Sequence, residues 1–160
     1  MSSEVIGLVK RIRKEISELY KIKDSVLRRW KKTLKDEDYL GSVAFDLQSF
    51  YQGVERSFEI IAKAIDRSVP GGEKWHKMLL EQMSNEIPGI RPAVISTETR
   101  DALDQFRMFR HLAHNIYSFN LVPERIKGLI DGISRAVDLV CQDLSLFSDF
   151  LEQSSVLKSE

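Results

Sequence analysis

Eight apolar residues, Ile126, Ile130, Ile133, Val137, Val140, Leu144, Phe147 and Leu151, recur at alternating steps of four and three. A seam of that period stays on one side of an α-helix, whereas on a strand it would scatter over both faces. It runs over 26 residues and suits a helix bundle or a helix–helix interface. Two further segments repeat the pattern. Val5, Val9, Ile12, Ile16, Leu19, Val26 and Trp30 mark a first long helix. Val43, Leu47, Phe50, Val54, Phe58, Ile61 and Ile65 mark a second, over about 39–68.

Two shorter helices fit between them. One covers about 73–85, after the turn signal at Pro70, Gly71 and Gly72. The other covers about 97–119, with Ser96 or Thr97 as N-cap and Glu98 and Asp101 favouring the positive end of the helix dipole. The two prolines of "EIPGIRPAVIS", 86–96, make that stretch a loop or short extended piece, and Pro123 suits the first turn of the last helix. No strand pattern alternates with these helices. The expected fold is all-α: an up-and-down antiparallel bundle of three long and two shorter helices in a single domain, 1–160.

Equal numbers of acidic and basic side chains give zero net charge, so bulk electrostatics select no partner. The charge is unevenly placed. Residues 10–35 hold eleven basic against three acidic side chains. A helix so charged is a solvated face or a phosphate-binding surface. Cys141, the single cysteine, sits in an apolar run and reads as a buried free thiol. No apolar stretch is long enough to span a bilayer, and the start "MSSEVIGLVKRIRKEI" breaks into charge too early for a signal peptide. The expected location is cytoplasmic. No dinucleotide, nucleotide-phosphate, zinc or calcium motif is present, and no cofactor or metal is expected.

"DQFRMFRHLAHNIYSFN", 104–120, concentrates polar chemistry on one helix. On a wheel of 100° per residue, Ala102, Phe106, Phe109, Ala113 and Ile116 form a core stripe. Arg107, Arg110, His114 and Tyr117 form an adjacent ridge, and His111 flanks it. Arginine can hold a phosphate with a two-pronged donor fork. Histidine can move a proton near neutral pH. Together they could cleave RNA without a metal, the 2′-hydroxyl attacking the adjacent phosphorus. The same residues also fit the edge of an ordinary amphipathic helix, where long polar side chains reach out to solvent.

"FRHLAHNIYSFNLVPERI" resembles the signature helix of the HEPN superfamily, in particular the HepT-like toxins. "YQGVERSFEIIAKAID", "PGGEKWHKMLLEQM" and "RPAVIS" are similar to the same proteins, so the resemblance covers roughly residues 40–135. It implies a homodimer whose signature helices face each other across a cleft, and a metal-independent ribonuclease toxin with RNA as substrate. It implies a minimal nucleotidyltransferase antitoxin as partner, which silences the toxin by modifying the signature tyrosine. By position Arg110 matches the signature arginine and Tyr117 that tyrosine. Asn115 stands where the signature has histidine, and asparagine cannot exchange a proton. His114 is then the candidate acid or base, with Arg110, Asn115 and Tyr117 completing the catalytic set and Arg107, His111 and Glu55 supporting it. The resemblance packs "GVER" near the signature helix, where Glu55 would orient an arginine; otherwise Glu55 is an exposed helix charge. His76 reads as structural, and Trp30 and Trp75 as core or interface anchors. The alternative function is a catalytically weak or inactive HEPN interaction module that binds a nucleotidyltransferase partner.

Overall fold

The computed structural model of the chain describes the backbone of residues 2–115 and 121–159 and the side chains of residues 2–110 and 121–154. Five α-helices carry the fold: α1 Ser3–Thr33, α2 Leu40–Ile61, α3 Trp75–Ser84, α4 Thr97–Asn115 and α5 Pro123–Ser159. Three are long and two shorter, and no strand occurs among the described residues. The all-α bundle expected from periodicity is the one observed.

All eight residues of the last seam are buried on α5. On α1, Val9, Ile12, Leu19 and Val26 are buried, while Val5, Ile16 and Trp30 pack at the core margin. On α2, Val43, Leu47, Phe50, Val54, Phe58 and Ile61 are buried. Removing these stripes from water is the main favourable contribution to folding.

Side-chain pairs give the helix directions. Arg29 and Ser25 both reach Asp46, while Glu15 meets Arg56, so α1 and α2 run antiparallel. Tyr20 meets Asp138 and Arg13 meets Glu152, so α1 and α5 do too. At Gly53 the two helices pack tightly: a Cβ there would stand 3.0 Å from Leu19 Cδ2. A larger residue would push on that leucine, two residues before Glu55.

The second long helix differs from its expectation of about 39–68. Its α-helical part ends at Ile61, a π-helical turn fills Ala62–Asp66, and Arg67 stops the chain in the left-handed region at φ 56°. Apolar spacing cannot distinguish a π turn from an α turn over so few residues. The π turn aims Asp66 inward, where it meets Arg91 from the 86–96 loop.

Ser96 caps α4: its hydroxyl accepts from the Thr99 N–H at 3.1 Å. Asp143 of α5 accepts from the Ser96 N–H at 3.0 Å and the Thr99 hydroxyl at 2.6 Å. The start of α4 is therefore pinned in both rotation and height. Val94 and Ile95, both buried, donate their N–H groups to the Met83 carbonyl and so tie the loop to α3.

Cys141 is buried and free, and burial pushes its thiol up to about 12. A thiol, rather than a thiolate, reacts slowly. Iodoacetamide at pH 8 is expected to leave the native protein unlabelled over a time in which the urea-unfolded chain is fully labelled, as read by intact mass. Equal labelling of both would contradict the packing of α1 on α5.

Candidate functional site

Three helices bring three side chains together. Glu55 comes from the inner face of α2, His76 from the second position of α3, and Arg110 from α4. The phase of each helix sets the meeting. Phe50 and Phe106 pack edge to face with ring centroids 5.1 Å apart, fixing α4 on α2 one turn before Glu55 and Arg110.

Glu55 is the hub. Arg110 Nη1 donates to its Oε1 at 2.8 Å, and its Oε2 lies 2.5 Å from His76 Nδ1. Arg110 Nη1 also stands 2.9 Å from His76 Nδ1 and 3.4 Å from Nε2, so the guanidinium lies against the imidazole. The ring also packs against Trp75, at 3.6 Å between centroids and tilted by 32°.

Burial divides the cluster into a base and a working edge. The Glu55 side chain is 4% exposed, that of Arg110 24% and that of His76 28%. Burial pushes the Glu55 carboxyl above the ordinary carboxylate range, against the opposing pull of His76 and Arg110. Two donors to a carboxylate so enclosed are what keep a charge there tolerable. Among the described residues Arg110 is engaged through Nη1 alone, and a guanidinium has further donors, on Nη2 and Nε, of the kind that hold an anion.

Tyr51 lies beside the cluster, close enough for Glu55, Arg107, Asp104 and Arg110 to act on it electrostatically. It is fully buried, and its hydroxyl has no hydrogen-bond partner among the described residues. Burial, with the Glu55 charge second, raises its ionisation far above the ordinary phenol value. It is a neutral phenol at any physiological pH.

The site residues expected from sequence divide three ways. Arg110 and Glu55 are in contact, and Glu55 is buried rather than an exposed helix charge. Arg107 turns instead to Asp104 on its own helix, Nε to Oδ1 at 2.7 Å, and does not join the cluster. The side chains of His111, His114 and Asn115, and the whole of Tyr117, lie outside the described residues. The backbone is helical through Asn115, which sets His114 one turn after Arg110.

His76, expected to be structural, is the member of the cluster that no spacing in the sequence points to. It stands 21 residues from Glu55 and 34 from Arg110. No helical spacing can signal such a contact. Its place in "KWHKMLL" at the head of a short amphipathic helix was the only hint. Trp75 and Trp30 pack against the core, as expected.

No described helix is long and apolar enough to cross a membrane. The family described as "HepT-like protein" matches the chain over residues 42–151, from the start of α2 to late in α5. Neither the curated proteins nor the solved structures compared with the chain gave a match.

Proposed function

The chain belongs to the HepT-like family, and from that premise we propose that it is the toxin of a toxin–antitoxin pair, a metal-independent endoribonuclease acting at a homodimer cleft. The observation that carries this reading is Arg110. The signature arginine is braced by a buried carboxylate and stands half-buried beside an imidazole. That is how a phosphodiester would be held while charge develops on its non-bridging oxygens.

In this reading the ribose 2′-hydroxyl attacks the adjacent phosphorus and displaces the 5′-oxygen, leaving a 2′,3′-cyclic phosphate. Arg110 stabilises the pentavalent phosphorus centre. His114 exchanges a proton, Asn115 and Tyr117 position the phosphate, and Glu55 holds Arg110, while Arg107 and His111 support the ridge. Tyr117 is the modification target of a minimal nucleotidyltransferase antitoxin. The protein works in the cytoplasm. Two copies place their signature helices across one cleft, so light scattering is expected to give about twice the 18.5 kDa chain mass.

The test is cleavage of single-stranded RNA in excess EDTA by the purified protein. Wild type is expected to cut and Arg110→Ala to lose the activity while keeping its helical circular dichroism. An intact substrate at high concentrations of folded wild-type dimer would overturn the reading. Asn115, in the place of the signature histidine, favours a second reading: an inactive module that only binds the nucleotidyltransferase. That reading predicts a stable complex and no cleavage.

A further inference from the structure

The Asn115 departure removes a proton carrier from the signature, and the tertiary structure brings another to the same arginine. We infer that His76 is the general base of the cleavage, its Nε2 taking the 2′-hydroxyl proton while Glu55 fixes the ring through Nδ1. This rests on the ribonuclease reading above and names the group that does its proton chemistry.

The contacts bound the tautomer. Glu55 Oε1 is served by Arg110. Oε2 lies 2.5 Å from His76 Nδ1, so one hydrogen is shared between them. In this proposal Nδ1 carries that hydrogen and donates it to Oε2. In the neutral ring the lone pair then stands on Nε2. Arg110 Nη1 stands 2.9 Å from Nδ1 and 3.4 Å from Nε2; with Nδ1 donating to Glu55, its approach to Nδ1 is a packing contact.

Orientation follows as well. Glu55 is buried on α2 two residues after the tight contact at Gly53, Trp75 packs against the ring, and Arg110 lies against it. Rotation of the imidazole would break the Glu55 bond. A carboxylate that orients a histidine by its far nitrogen is the arrangement that makes a histidine an effective base. His76 and Arg110 are in contact and both are partly exposed, so a phosphodiester held by the Arg110 guanidinium would bring its neighbouring 2′-hydroxyl close to the imidazole.

The step balances with water as the only other participant. The O2′–P bond forms and the P–O5′ bond breaks. The 2′-hydroxyl proton goes to His76 Nε2, and the leaving 5′-oxygen takes a proton from water. The hydroxide so formed recovers a proton from the His76 imidazolium, which restores the base. Glu55 touches no substrate and is a positioning residue.

The experiment uses full-length protein and a single-stranded RNA oligonucleotide in excess EDTA, together with 15N NMR of the His76 ring. The wild-type ring is expected to carry its proton on Nδ1, and Glu55→Gln to move that proton toward Nε2. His76→Ala is expected to lose at least about 100-fold in kcat with KM changed little, and added imidazole to restore part of the rate. His76→Gln keeps a polar side chain against Glu55 and is expected to fold and remain inactive, which guards against loss of the Ala variant to unfolding. Cleavage by either variant within threefold of wild type overturns the inference, as does a wild-type ring protonated on Nε2. Should wild type itself fail to cut, it is the ribonuclease reading that falls, and the ring tautomer still decides whether Glu55 orients His76.

Discussion

Arg91→Ala is expected to lower folding stability by about 3–5 kcal/mol, the usual cost of leaving one member of a buried ion pair alone. Both side chains of the Arg91–Asp66 pair are almost completely enclosed, 0% and 1% exposed. The pair is two-pronged: Nε to Oδ1 at 2.5 Å and Nη2 to Oδ2 at 2.7 Å. The remaining guanidinium hydrogens go to the carbonyls of Asn85, Pro92 and Gln82. Gln82 Nε2 also donates to Asp66 Oδ2. Deleting the guanidinium leaves a buried carboxylate and unpaired carbonyls in one place. In a chain of this length the loss corresponds to a fall in melting temperature of roughly 6–20 °C. The double variant Asp66→Ala with Arg91→Ala is expected to cost less than the two single losses added, because it leaves no stranded charge. Full additivity in urea titrations would show that the two groups do not interact.

The consequence reaches the site. Arg91 holds the loop that delivers Ser96 to the start of α4, and α4 carries Arg110. A loosened loop frees the pinned end of the helix, so Arg91→Ala should lower cleavage through stability, with activity recovering on cooling.

Arg110→Ala is expected to reduce cleavage by about 10²–10³-fold, the range for removing one group that stabilises charge in a transition state. Its effect on stability is smaller, about 1–3 kcal/mol, because Glu55 keeps His76 as a partner and its carboxyl is already pushed toward the neutral form. Arg110→Lys keeps a charge but loses the fork that serves Glu55 and a phosphate together. It should therefore recover only part of the rate. A lysine variant as active as wild type would mean that charge alone suffices, and that the Glu55 brace has no part in the chemistry.

The helices were legible because each reports on itself. The steps of four and three from Ile126 to Leu151 give the buried face of α5 without knowledge of what covers it, and every one of those residues is buried. Ser96 before Thr97 marked a helix start, and its hydroxyl does cap α4. What escaped are contacts that no period encodes. The π turn at Ala62–Asp66 breaks an apolar pattern that continues through Ile65. The Asp66–Arg91 and Glu55–His76–Arg110 contacts each depend on the relative rotation of separate segments. Glu55 shows the limit best. In "GVERSFEII" it is one more helix charge, and the tertiary packing around it, with Gly53 tight against Leu19 and Phe50 on Phe106, makes it a buried hub.

The central claim is metal-independent cleavage through the 2′-hydroxyl. It is tested most directly by offering the folded wild-type protein two single-stranded oligonucleotides of one sequence in excess EDTA, one all-ribose and one with every 2′-hydroxyl removed. The account predicts that the RNA alone is cut, leaving 2′,3′-cyclic phosphate and 5′-hydroxyl ends in the mass spectrum. Cleavage of both strands, or of neither, would contradict it.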